Sequence, residues 1–145
     1  MWFGTRSGLN SLKDGIWKSY SLDEFNDAGI DIIDIFESPS GEIWIHIDRR
    51  PHFFPGGIGR YLDGSWTIFT TNDSLPGNYI KVLYVGLNGI VWAGTDSGVS
   101  YLQNETWQTF TTDSGLVDNR ITCITQSRDG AMWFGTRTGA CRYDG

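Results

Sequence analysis

Cysteine, histidine and methionine occur only twice each in this 145-residue chain, and proline only four times. Two cysteines cannot make a disulfide framework, and Cys123 and Cys141 do not stand at a metal-ligand spacing. They are expected as small buried hydrophobes. In the blade proposed below they fall on strands that are not neighbours, ~9 to 10 Å apart, too far for an easy disulfide. The histidines, His46 and His52, lack a matching set of partners for a metal centre, so a structural or surface role is expected. Cations are the minority charge: Lys and Arg number 11 against 17 Asp and Glu, for a net charge of −6. That balance, with no basic stripe to offset it, argues against nucleic acid and anionic membrane as partners. No apolar run approaches ~18 residues and no charged-then-apolar leader is seen, so neither a membrane span nor a signal peptide is expected in this segment. A sustained helical period is also missing.

Tryptophan and glycine are abundant instead, at 7 and 19 residues. Met1-Trp2-Phe3-Gly4-Thr5-Arg6 reappears unchanged as Met132-Trp133-Phe134-Gly135-Thr136-Arg137, with weaker copies at Ile43-Trp44-Ile45 and Val91-Trp92-Ala93-Gly94-Thr95. Gly89 and Trp92 recur as Gly130 and Trp133, a period of about 41 residues, inside the ~40 to 45 expected of a four-stranded propeller blade. Every tryptophan occupies one of two repeat positions: Trp2, Trp44, Trp92 and Trp133 the first, Trp17, Trp66 and Trp107 the second. Between Trp44 and Gly57 the repeat carries about seven extra residues.

The segments between these landmarks read as short strands, rich in aromatic and β-branched residues and closed by glycine turns. Four strand positions follow, here A (as in Ile121 to Gln126), B (Ala131 to Thr136), C (Val99 to Leu102) and D (Trp107 to Thr111). Asp14-Gly15 and Asp63-Gly64 are hairpin signals for the C-to-D turn. The chain order becomes B-C-D, A-B-C-D, A-B-C-D, A-B-C. The expected fold is all-β: about three and a half four-stranded antiparallel β-propeller blades, part of a larger propeller, with blade pieces 1–21, 22–71, 72–112 and 113–145. A β-solenoid is the weaker alternative, because the turns are hairpin turns. The open ends of an incomplete propeller would leave strand edges unpaired, so the isolated chain is expected to associate irregularly.

The pattern Asn119-x-Ile121-x-x-Ile124, Gly130-x-Met132-Trp133-Phe134-Gly135-Thr136-x-x-Gly139, with Arg142-Tyr143-Asp144-Gly145 after it and Trp107-Gln108-Thr109-Phe110-Thr111 before it, resembles the two-component regulator propeller repeat. That resemblance implies a non-catalytic sensor propeller of a hybrid histidine kinase or related regulator, in a periplasmic or extracytoplasmic setting, with an oligosaccharide as a candidate ligand. It implies no cofactor. The second repeat departs from the pattern, with His46-Ile47 where the others have Gly-Thr. Two other readings remain: a protein-interaction scaffold propeller, or a non-catalytic part of a propeller lyase or hydrolase.

No constellation of catalytic type emerges. Asp23-Glu24 and Asp31/Asp34 lack a second group at a motif spacing, Gly56-Gly57-Ile58-Gly59 opens a strand rather than a helix, and Tyr61-Leu62-Asp63-Gly64-Ser65-Trp66 only partly echoes a sialidase box. The insertion after Asp48 is the segment the repeat does not require. Arg49 and Arg50 there could clamp an acidic group, with His52, Phe53 and Phe54 beside them to stack on a ring. Arg6 and Arg137, which open the B-to-C loops, and Asn78 and Asn119, which end the D-to-A loops, complete the candidate ligand-binding rim. The expected partners are the remaining blades of the same propeller or other copies of the chain.

Overall fold

The computed structural model describes residues 1–5, 8–20, 30–49 and 56–145, with the side chains of Ile30 and Arg49 outside that description. Arg6, Arg50, His52, Phe53 and Phe54, and the Asp23-Glu24 pair, therefore lie outside the described residues. The strands are β1 (Trp2–Thr5), β2 (Gly8–Lys13), β3 (Ile16–Tyr20), β4 (Ile30–Glu37), β5 (Ile43–Arg49), β6 (Gly57–Leu62), β7 (Ser65–Phe69), β8 (Ile80–Val85), β9 (Val91–Thr95), β10 (Val99–Gln103), β11 (Thr106–Phe110), β12 (Ile121–Gln126), β13 (Met132–Thr136) and β14 (Ala140–Tyr143). They form four antiparallel meanders of three, four, four and three strands, in the order β1-β2-β3, β4-β5-β6-β7, β8-β9-β10-β11 and β12-β13-β14. The B-C-D, A-B-C-D, A-B-C-D, A-B-C order read from the sequence is the one observed.

Each meander is apolar on both faces, so it cannot be stable alone. Three buried clusters correspond to the three contacts between successive sheets. Leu9, Ile43, Ile45 and Ile47 gather Trp2 and Trp66 between the first and second. Trp44, Phe69, Ile80, Leu83 and Trp107 fill the second contact. Trp92, Val99, Ile121, Ile124 and Phe134 fill the third. This is nearest-neighbour stabilisation, as in other repeat architectures. The A strands are innermost: β8 lies against both β4 and β12.

Local chemistry fixes the turns. In the A-to-B turns Gly41, Gly89 and Gly130 adopt φ of 87°, 80° and 91°, and each donates its N–H to the carbonyl three residues back at 2.9 to 3.0 Å. The C-to-D hairpins place Asp14-Gly15 and Asp63-Gly64 at positive φ, the type I′ pattern. The third has Asn104-Glu105, with Glu105 at φ 62° where the others have glycine. Its carboxylate then reaches the second sheet, accepting from Arg60 Nη1 and Nη2 at 2.8 and 2.7 Å. A less favourable turn residue thereby becomes a bidentate anchor between sheets.

The tryptophans depart from uniform burial in an orderly way. Trp44, Trp92 and Trp107 are buried at 1%, 3% and 3% exposure, whereas Trp17 is 60% and Trp133 38% exposed. A strand-B tryptophan packs toward the following sheet: Trp92 meets Phe134 at 5.2 Å and Tyr143 at 5.7 Å. A strand-D tryptophan packs toward the preceding one, as Trp107 does on Phe69 at 5.7 Å. Trp17 has no preceding sheet among the described residues and Trp133 no following one. The cysteines also correct an expectation. Both are free: Cys123 is exposed because β12 turns one face to that same open side, whereas Cys141 is half-buried against the cluster between the third and fourth sheets and accepts from the Val117 N–H at 3.2 Å.

Candidate functional site

The inner strands share a feature that their sequences did not announce. β4, β8 and β12 each carry a one-residue bulge at the same place, between Ile32 and Asp34, Ile80 and Val82, and Ile121 and Cys123. The extra residues, Ile33, Lys81 and Thr122, have no partner in the ladder, and a bulge re-aims the side chain that it frees. All three residues line cavities between successive sheets. The bulge thus turns one position of each inner strand from the core toward the rim.

Strand B supplies the next layer. Its Gly-Thr pair has two mechanical uses. Gly94 lets the following inner strand approach: a Cβ there would sit 2.5 Å from Ile121 Cγ2 and 2.7 Å from Val82 Cγ1, and one on Gly4 would sit 2.6 Å from Ile32 Cγ2. The threonine builds the B-to-C turn, with the Oγ1 of Thr5, Thr95 and Thr136 donating to the carbonyls of Gly8, Gly98 and Gly139 at 2.9, 3.0 and 2.8 Å. His46-Ile47 replaces both. Ile47 becomes core at 1% exposure, and His46, at 8%, faces the third sheet. Burial lowers the His46 pKa from its ordinary 6.5, with Lys81 pushing the same way, against the opposing pull of Asp48 and Asp34.

Two cavities therefore occupy equivalent places with different chemistry. The first, about 230 Å³, is bordered by Ile33, His46, Asp48, Asn78, Tyr79 and Lys81. The second, about 430 Å³, is lined by Lys81, Asp96, Arg120, Ile121, Thr122 and Arg137. The Arg137 N–H donates to the Arg120 carbonyl at 3.2 Å, so the end of one D-to-A loop is joined to the start of a B-to-C loop. Arg120 is set by its own N–H, which donates to Asp118 Oδ1 at 2.9 Å.

Of the residues singled out by sequence, Arg137 lines the larger cavity and Asn78 the smaller. Both asparagines also serve their own loops. Asn78 Oδ1 accepts from the Thr71 N–H at 2.7 Å while its Nδ2 donates to Thr71 Oγ1 at 3.0 Å, and Asn119 Oδ1 accepts from the Thr112 N–H at 2.7 Å. Leu75 and Leu116, 4% and 9% exposed, pin the same loops to the core. The Leu-x-x-Asn spacing is therefore explained by loop closure. Arg49 ends β5, beside the first cavity's Asp48 in sequence. Lys81, Arg120 and Thr122 were not among the residues chosen from the sequence. The signal for two of them was the three-residue step between apolar positions, Ile80 to Leu83 and Ile121 to Ile124, which leaves a residue out of phase with a strand. Among the described residues no group of His, Cys, Asp and Glu is placed to hold a metal.

Residues 115–138 match the family model described as Two component regulator propeller. No curated protein matches the chain significantly. Among solved structures, one similar fold is the extracellular domain of a protein described as the hybrid two component system BT3049 from B. thetaiotaomicron. It has a TM-score of 0.72 and 19% identity, over 99% of this chain and 20% of that one. Another is the extracellular domain of BT4673 from the same organism, described as a one component system, with a TM-score of 0.71 and 23% identity over 97% of this chain and 19% of that one. The chain thus spans about a fifth of the length of these structures and shares their β-propeller fold. None of the helices among its described residues is long and apolar enough to cross a membrane.

Proposed function

We propose that this chain is sensor-propeller material of a two-component regulator, outside the cytoplasm, which receives a polar ligand on its inner rim without chemical turnover. The observation that carries this reading is the match of residues 115–138 to the two-component regulator propeller model. The fold shared with extracellular domains of B. thetaiotaomicron regulators supports it. The rim adds the means: two cavities between blades, bordered by charged and hydroxyl side chains that the fold does not need for its core. An oligosaccharide suits such a rim, since bulge and loop residues can hydrogen-bond to hydroxyls while the walls stay rigid. In this reading Arg6, Arg49, Arg50, His52, Phe53 and Phe54, chosen from the sequence, contribute further donors and ring faces to the ligand. The open faces carrying Trp17 and Trp133 pack on further four-stranded units, in the same polypeptide or another copy.

The experiment is a thermal-shift screen of the regulator's extracellular region against oligosaccharides, followed by reporter transcription driven by the intact regulator. A stabilising oligosaccharide that also drives the reporter is expected, and rim substitutions should abolish both effects. A reporter that responds unchanged after this segment is replaced by blades of an unrelated propeller overturns the reading.

A further inference from the structure

The larger cavity combines charge, space and rigidity in one place. Lys81, Arg120 and Arg137 line it together with a single carboxylate, Asp96. Three of the chain's 11 basic residues thus meet in one recess of a protein whose net charge is −6. Other arginines are neutralised where they stand: Arg60 by Glu105 at 2.7 Å, and Arg142 by Asp129 at 3.1 Å and Asp144 at 2.7 Å. The three cavity cations form no ion pair with any described residue. Asp96 Oδ1 accepts from Ser97 Oγ at 3.2 Å, and Asp118 is engaged by the Arg120 N–H. A recess with low-dielectric walls and three cations against one carboxylate carries surplus positive charge and concentrates anions.

Three features make it a site rather than a charged surface. Its volume of about 430 Å³ falls in the ~300 to 1,000 Å³ range of small-molecule sites. Its floor is fixed, because Ile121 is buried and packs directly on Gly94. Its cations come from three separate segments, the β8 bulge, the loop entering β12 and the loop leaving β13, and the Arg137 to Arg120 backbone hydrogen bond ties the last two together. Arginine is the side chain that recognises a planar carboxylate or a sulfate through paired donors. Thr122 adds a hydroxyl that can donate to or accept from a neutral sugar oxygen. The equivalent cavity one blade earlier has Ile33 where this one has Lys81, and Tyr79 where it has Arg120.

We infer that the recess between the third and fourth sheets is an oxyanion subsite, in which Arg120, Arg137 and Lys81 bind the carboxylate or sulfate group of an acidic saccharide. This rests on the sensor reading above and names the ligand class of one part of that rim.

The test titrates the regulator's extracellular region, selectively labelled at arginine and threonine, with glucuronate, glucose 6-sulfate and glucose, following amide chemical shifts by NMR. Glucuronate or glucose 6-sulfate is expected to shift the Arg120, Thr122 and Arg137 amides saturably, with glucose at least about tenfold weaker. Which of the two binds better distinguishes a carboxylate from a sulfate ester. The exposed pair Arg120→Gln/Arg137→Gln should weaken acidic binding by about tenfold or more, while Arg142→Gln, on the outer part of the last sheet, leaves it unchanged. Affinity should also fall as salt rises from low to physiological levels. Retained amide dispersion in the double variant shows that a loss is not unfolding. Glucose binding as tightly as the acidic sugars, through the same amides, overturns the oxyanion assignment and leaves the sensor reading standing. Acidic binding indifferent to the double substitution and to salt overturns it too, as does saturating shifts confined to other residues.

Discussion

The third sheet and the last one carry the same repeat, yet their tryptophans live in different surroundings. Trp92 is 3% exposed and Trp133 38%. Both follow an apolar residue in strand B, and both pair in register with strands A and C. The difference is the sheet that follows: Phe134 and Tyr143 cover Trp92, and no described residue beyond the last sheet covers Trp133. Burial here is a property of the junction between two copies, and a single copy does not specify it.

That comparison is most directly broken by truncation. Trp92→Ala and Trp107→Ala should each cost about 3 to 5 kcal/mol in denaturant unfolding, the usual range for a large buried aromatic. Trp133→Ala and Trp17→Ala should cost less, about 1 to 3 kcal/mol, because 38% and 60% of these residues already face water. Equal losses at Trp92 and Trp133 would mean that the open face is covered in solution, and sedimentation would then show an assembly.

A smaller effect sharpens the junction itself. Gly94→Ala places a Cβ against Ile121 and Val82 and should cost about 1 to 3 kcal/mol through overpacking. His46→Gly, at the equivalent place, should open a void between the second and third sheets and also destabilise. Thermal unfolding of both variants checks this, and a neutral Gly94→Ala would mean that the inner strands have room to shift.

Smaller still is the exchange at the third C-to-D turn. Glu105→Gly relieves a positive φ but removes the bidentate pair with Arg60. Since Glu105 is 68% exposed, its pair is screened, and the two terms should cancel to within about 1 kcal/mol. Restoring an acidic partner at Gly64 has no such geometry to use and should only destabilise.

The last prediction concerns pH. The folded pKa of His46 lies below its ordinary 6.5, so between those values the unfolded chain binds a proton that the folded chain refuses. Stability contributed by this group is therefore present above pH 6.5 and declines as pH falls toward the folded pKa. His46→Gln should flatten that part of the pH profile in chemical denaturation. The third junction, which has Gly94 in place of His46, offers no counterpart.

The strand order was legible because tryptophan and glycine mark the strands and turns at a near-constant spacing. Asp14-Gly15 and Asp63-Gly64 announced their hairpins for the same reason: few residues other than Gly, Asn and Asp tolerate positive φ. The inner bulges were harder. Ile80 and Leu83, or Ile121 and Ile124, are three residues apart, a step that belongs to a helix, and only pairing with strand B shows that one residue has been passed over. Asn78 and Asn119 close their own loops, and Asn78 also borders a cavity; a polar residue at a loop end can serve the loop, a guest or both, and sequence does not say which. Cys123 is expected inside as a small hydrophobe without a disulfide or metal partner, but its face has no following sheet among the described residues.

The bulge has a consequence for how such a chain changes over generations. Ile33, Lys81 and Thr122 hold one structural address with an aliphatic, a cationic and a hydroxyl side chain, and the ladder on either side is the same in all three. A mutation there alters the chemistry of the inner wall without disturbing what the sheet requires, so under the proposed sensor role recognition can drift while folding is held constant. Duplicating or exchanging a whole repeat would carry its wall chemistry along as a cassette, giving descendants new taste by rearrangement rather than by rebuilding.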